Sequence, residues 1–167
     1  MPPAPATTAP APSPTSGDAR AVAPDPVLLF DGECGLCNRT VRWLLRIDRR
    51  GVLRFAPLQG AAAQEFLRAQ RLPTDDFDSL VFVADWARRH EPATGATAGR
   101  KFALRTDGVV AALRAVGAAR RAALLALWPR AVRDAGYGVV VRTRFRFFGG
   151  AEACPLPRPE WRARFLE

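Results

Sequence analysis

Cysteine is scarce in this sequence. Three in 167 residues are too few to staple a small secreted scaffold, and in a reducing compartment a close pair points to catalysis or metal binding instead. Long apolar runs are missing as well. The longest near the C-terminus, Ala122 to Trp128, is bounded by arginines and falls far short of the ~20 residues that span a bilayer. The first residues have neither a basic start nor an apolar core of ~7 to 15 residues, so no secretory leader is expected and the chain reads as cytoplasmic. Lysine is nearly absent: 24 arginines against one lysine carry the formal charge of +9. Those arginines are scattered through nearly every segment, and base-stacking aromatics do not accompany them on the predicted helix face. Both points argue against a nucleic-acid partner. No glycine-rich fingerprint for a flavin or nicotinamide is visible either, so no cofactor is expected.

What is present is enough apolar material for one core. Nearly half of the residues are hydrophobic (49%), and the length suits a single domain. Residues 1–25 are dominated by Ala, Pro, Thr and Ser and read as a disordered tail. A domain is expected over 26–157, with a C-terminal tail at 158–167. After Pro26, the unbroken run Val27-Leu28-Leu29-Phe30 predicts a central strand buried on both faces. Asp31-Gly32 breaks it, and apolar positions 37, 41, 44 and 45 then recur at helical spacing as far as Asp48. Val52–Ala56 reads as a second strand, parallel to the first, and Ala61–Gln70 as a short helix. Leu80–Ala84 and Lys101–Thr106 form an expected antiparallel hairpin around a long polar connection, 86–100. Thr106-Asp107 is positioned to cap a helix running to Gly117, and further helices are expected over Ala122–Trp128 and Val132–Val141. The aromatic residues Trp43, Trp128, Phe145, Phe147 and Phe148 are expected to pack the core.

Cys34 and Cys37 stand where the buried strand hands over to the first turn of a helix. Unpaired amides converge at such a point and behave like about half a positive charge, which favours a thiolate over a thiol. Cys34 is the candidate nucleophile. Cys37, one turn deeper on the apolar face, is the candidate resolving thiol and is expected to be the less accessible of the two. Asp31, three residues before Cys34, is placed either to accept a proton from Cys37 or to order the Asp-Gly turn. Glu33 is expected to be exposed.

The Asp31, Cys34 and Cys37 pattern resembles the DCC family of thiol-disulfide oxidoreductases. The likeness extends to Phe55-Ala56-Pro57-Leu58-Gln59, to the hairpin, to the helix start Arg105-Thr106-Asp107, and to Arg144-Phe145-Arg146-Phe147-Phe148-Gly149. It implies an α/β, thioredoxin-like fold: a mixed four-stranded sheet flanked by helices, with extra helices toward the C-terminus. It also implies disulfide exchange on a disulfide- or thiol-containing substrate, expected to be a protein, with an external thiol reductant. Cys154 matches a third cysteine of that family. The cis-proline familiar from thioredoxins is missing before the hairpin, where the chain reads Phe77-Asp78-Ser79-Leu80.

Two other functions compete. Cys34, Cys37, Cys154 and His90 would supply a Cys3His set for structural zinc, although Cys154 and His90 are isolated residues and zinc modules commonly present local pairs. A basic adaptor that contacts a partner or membrane surface through its helices and aromatics is the third reading.

Overall fold

The computed structural model describes residues 25–75, 77, 79–90, 102–149 and 159–166. The sequence expectations for 1–24, for most of the 86–100 connection and for Cys154 therefore lie outside the described residues.

Strand β1 (Val27–Phe30) is buried along its whole length. Because successive side chains alternate across a strand, it feeds two separate cores. Leu28 and Phe30 pack with Val41, Leu44 and Leu45 of helix α1 (Gly35–Ile47). Val27 and Leu29 pack with Phe66 and Leu67 of helix α2 (Ala61–Ala69). An unbroken apolar tetrapeptide is what a strand with two dry faces requires.

Four strands form the sheet in the order β2-β1-β3-β4. β2 (Arg54–Pro57) runs parallel to β1, with Phe30 opposite Pro57. β3 (Val81–Val83) is antiparallel to β1, and β4 (Phe102–Leu104) is antiparallel to β3. Helix α3 (Arg105–Ala115) joins α1 on one face, contributing Val110 and Leu113 to its core. This mixed sheet with helices on both faces is the thioredoxin-like α/β arrangement expected from the sequence. Since β1, β2 and β4 point the same way, the turns leading into α1, α2 and α3 gather along one edge of the sheet.

Two further helices follow, α4 (Ala119–Ala126) and α5 (Arg130–Phe148). The second runs well beyond the expected 132–141. Thr106 and Asp107 do not cap α3, whose N-cap is Leu104 without a side-chain bond. They reach across to α5 instead: Thr106 donates its hydroxyl to Asp134, and Asp107 pairs with Arg130 and Arg133. β2 starts two residues later than expected because the Val52 and Leu53 amides are taken by the carboxylate of Asp48.

Residues 159–166 also pack against the domain. A 3-10 helix, Pro159–Arg164, leads into Phe165, which bridges to Phe55. The Leu166 amide donates to the Phe55 carbonyl at 2.8 Å. Arg164 bonds the buried Asp48 carboxylate and the Leu53 carbonyl. The outer edge of β2, which would otherwise offer unpaired backbone groups, is covered in this way.

Candidate active site

The turn after β1 is held mainly by backbone and short polar groups. The Cys34 amide donates to the Asp31 carbonyl at 3.3 Å, and buried Asn38 donates its side-chain amide to the Gly32 carbonyl at 2.8 Å. Cys34 is the N-cap of α1, extended at φ −93° and ψ 117°, and its Sγ accepts the Cys37 backbone amide at 3.4 Å. A sulfur thus occupies the place that a serine or aspartate oxygen fills in ordinary caps. The Cys37 amide, one of the first-turn donors that has no partner within the helix, is satisfied by that sulfur. Both cysteines are free thiols.

Cys37 is partly buried, and its thiol is pushed up to about 12. Burial is the largest cause, followed by its hydrogen bond to Cys34 and by charge on Cys34. Arg144 opposes the rise and Asp31 adds slightly to it. Cys37 therefore keeps its proton at neutral pH.

Accessibility runs opposite to the sequence expectation. Cys34 is 0% exposed, whereas Cys37 retains some exposure. Helix α5, too distant in sequence to be foreseen here, ends over this turn. The Gly35 amide donates to the Gly149 carbonyl at 3.3 Å, and the Phe148 carbonyl lies where a side chain on residue 35 would begin. Only glycine permits that approach.

Asp31 is 6% exposed and heavily bonded. One carboxylate oxygen accepts the Glu33 amide at 3.0 Å and the Gln59 side-chain amide at 2.9 Å. The other pairs with Nη2 of Arg144 at 3.1 Å, a contact between two side chains that are each under a tenth exposed. Gln59 also accepts the Gly32 amide at 3.1 Å, and Arg144 donates to the Phe77 carbonyl. One carboxylate thereby ties β1, the β2–α2 turn, the segment before β3, and α5 to the thiol turn. Among the described residues no peptide bond is cis, and the Leu80 amide just ahead of β3 is held by the Tyr137 hydroxyl of α5 at 3.1 Å.

A family model described as DCC1-like thiol-disulfide oxidoreductase matches residues 28–150. The chain belongs to this DCC1-like family. Among curated proteins it is 34% identical over 143 residues to uncharacterized protein YuxK of Bacillus subtilis (strain 168), covering 86% of this chain and 95% of that protein. It is 31% identical over 134 residues to DCC family protein At1g52590, chloroplastic, of Arabidopsis thaliana, covering 78% of this chain and 69% of the relative. No solved structure matches.

The DCC1-like site includes two residues that sequence reasoning did not single out, Gln59 and Arg144. Both stand in segments that carried the family resemblance, which was the available signal. Periodicity cannot bring Arg144 to a carboxylate 113 positions away. Glu33 is exposed, as expected. His90 lies 3.6 Å from Glu65, and among the described residues no group of three His, Cys, Asp or Glu side chains could hold a metal. The expectation that Trp43, Trp128, Phe145, Phe147 and Phe148 fill the core is corrected: all five are exposed. The sheet and its three nearest helices already close the core with smaller aliphatics, together with Phe30, Phe55 and Phe66.

Proposed function

We propose that the chain carries out thiol–disulfide exchange, as a protein-disulfide reductase whose redox group is the Cys34/Cys37 dithiol itself. The observation that carries this reading is Cys34 capping α1 through its sulfur, beside a second thiol one turn on, in a member of a thiol-disulfide oxidoreductase family. In the first step the Cys34 thiolate attacks one sulfur of a substrate disulfide. A mixed disulfide forms and the other substrate sulfur leaves as a thiolate. Cys37 then loses its proton and attacks Cys34 Sγ, which closes a Cys34–Cys37 disulfide and releases the second substrate thiol. An external thiol system in a reducing cytoplasm restores the dithiol.

The causes of the Cys37 shift explain the order of events. Two of them depend on Cys34, one through a hydrogen bond and one through charge. Both disappear once Cys34 is bound in a mixed disulfide, so the resolving thiol becomes more acidic when it is needed. Asp31 acts here as an anchor of the turn. Its oxygens already accept three hydrogen bonds, one from a guanidinium, and these hold the turn in place. Access to Cys34 calls for the end of α5 to yield.

Trapping tests the assignment. The Cys37→Ser protein, incubated with reducible protein disulfides, should retain a mixed disulfide that mass spectrometry locates on Cys34. Capture on Cys154 at equal yield, or no capture at all, would overturn the roles given to the pair.

A further inference from the structure

Helix α5 turns no apolar stripe to the core. A surface helix normally turns its apolar stripe to the core and its polar side to water. Of the 19 residues of α5 the buried one is Arg144. Its inward contacts are polar: Arg133 and Asp134 to α3, Tyr137 to the Leu80 amide, and Arg144 to Asp31. Val132, Val139 and Phe147 are exposed instead, Phe147 at 72%. The α4–α5 corner continues the pattern, with Leu127 80% and Trp128 60% exposed. Exposed large apolar side chains in such number mark a contact surface.

Charge narrows the occupant. Residues 119–148 contain seven arginines and a single acid, Asp134, and that acid is engaged with Thr106 and Arg130. Arg142 and Arg146 are exposed on the same helix. A second copy of the chain would set these arginines against each other, and a nucleic acid would leave the valines, Leu127 and Trp128 unused. An acidic bilayer surface uses both, because arginine heads meet lipid phosphates while aromatic and aliphatic side chains enter the acyl boundary. We propose that the α4 corner and the outer face of α5 form a docking surface for anionic lipid membranes. The helix would lie in the interface plane. Among the described residues no helix is long and apolar enough to cross a membrane.

Vesicle co-sedimentation of the full chain tests this. Phosphatidylcholine vesicles containing phosphatidylglycerol should pellet the protein, and pure phosphatidylcholine vesicles should not. The double variant Leu127→Glu, Phe147→Glu should bind at least about tenfold more weakly, since it removes two apolar anchors and adds repulsion. Both positions are exposed, so its circular dichroism and melting temperature should match the parent. Failure of the parent to pellet with anionic vesicles overturns the proposal, as does undiminished binding by a folded double variant, which would reveal nonspecific charge attraction. Loss of self-association or of an acidic protein partner in the variant, without vesicle binding by the parent, would assign the face to those partners instead. Vesicle binding is read independently of the Cys37→Ser trap, so failure here is separable from failure of the reading of Cys34 and Cys37.

Discussion

At the scale of single residues, Asp31 and Arg144 form the most consequential contact outside the thiols. Both are buried and their charges pair, so removing either one strands the other in a dry site. Asp31→Asn and Arg144→Gln should each destabilise the fold by about 3 to 5 kcal/mol in urea melts, the usual cost of breaking a buried pair. Their effects on Cys37 should diverge. Asp31 raises the Cys37 thiol and Arg144 lowers it, so at a fixed, mildly alkaline pH Cys37 should alkylate faster in Asp31→Asn and slower in Arg144→Gln. Movement in the same direction would mean that the pair acts on Cys37 only through structure. A pH effect on stability follows from Cys37 as well. Its ordinary value of 9.0 rises to about 12 in the fold, so between these values the unfolded chain sheds a proton that the folded chain keeps. The contribution is fully present below about 9 and is lost as pH climbs toward about 12, and Cys37→Ala should flatten that decline. The thiols and Asp31 were legible from sequence because a strand end, a turn and a helix start are local events. The burial of Cys34 was not legible, and neither was the α5 backbone seated against its neighbour Gly35, because both depend on packing rather than on local sequence.

At the scale of elements, the meeting of α1 with the C-terminal end of α5 sets the state of the site. Gly35 is the point of contact. Gly35→Ala would drive a methyl group into the Phe148 carbonyl, and a backbone atom cannot swing aside as a side chain would. The expected result is a loss of about 1 to 3 kcal/mol in stability, together with faster alkylation of Cys34 as α5 is pushed outward. Loss of stability without a gain in Cys34 reactivity would show that another part of the molecule seals the thiol. The β1, α1 and α2 boundaries could be read closely because each buries a clean apolar pattern. α5 resisted reading for a physical reason: its inward side is Arg133, Tyr137 and Arg144 and its outward side is valine and phenylalanine, so periodicity gives no sign of how it packs. The start of α3 misled in a similar way. Thr106-Asp107 has the composition of a cap, but the neighbouring helix supplies arginines and an aspartate that bind both side chains.

At the scale of the whole molecule, an Asp–Arg pair closes each end of α1, with both partners buried at the thiol end. Asp31 with Arg144 stands at the thiol end, and Asp48 with Arg164 at the other. Both arginines come from the last quarter of the sequence. The late chain thus fastens around a sheet in which the parallel β1–β2 pair, the β3–β4 hairpin and the double-sided burial of β1 were foreseen from hydrophobic runs and turn residues. Its partners could not be foreseen, because scattered arginines look alike in sequence whether they are solvated, cation–π bound like Arg121 over Trp43, or locked in a pair. A dithiol that cycles is the claim on which the functional account rests. The most direct measurement is to titrate the native protein through a series of thiol–disulfide buffers and follow each cysteine by peptide mass spectrometry. The account predicts one reversible two-electron transition that links Cys34 to Cys37. Oxidation that leaves Cys34 untouched in the folded protein, while partly exposed Cys37 alone takes up buffer thiol, would contradict it.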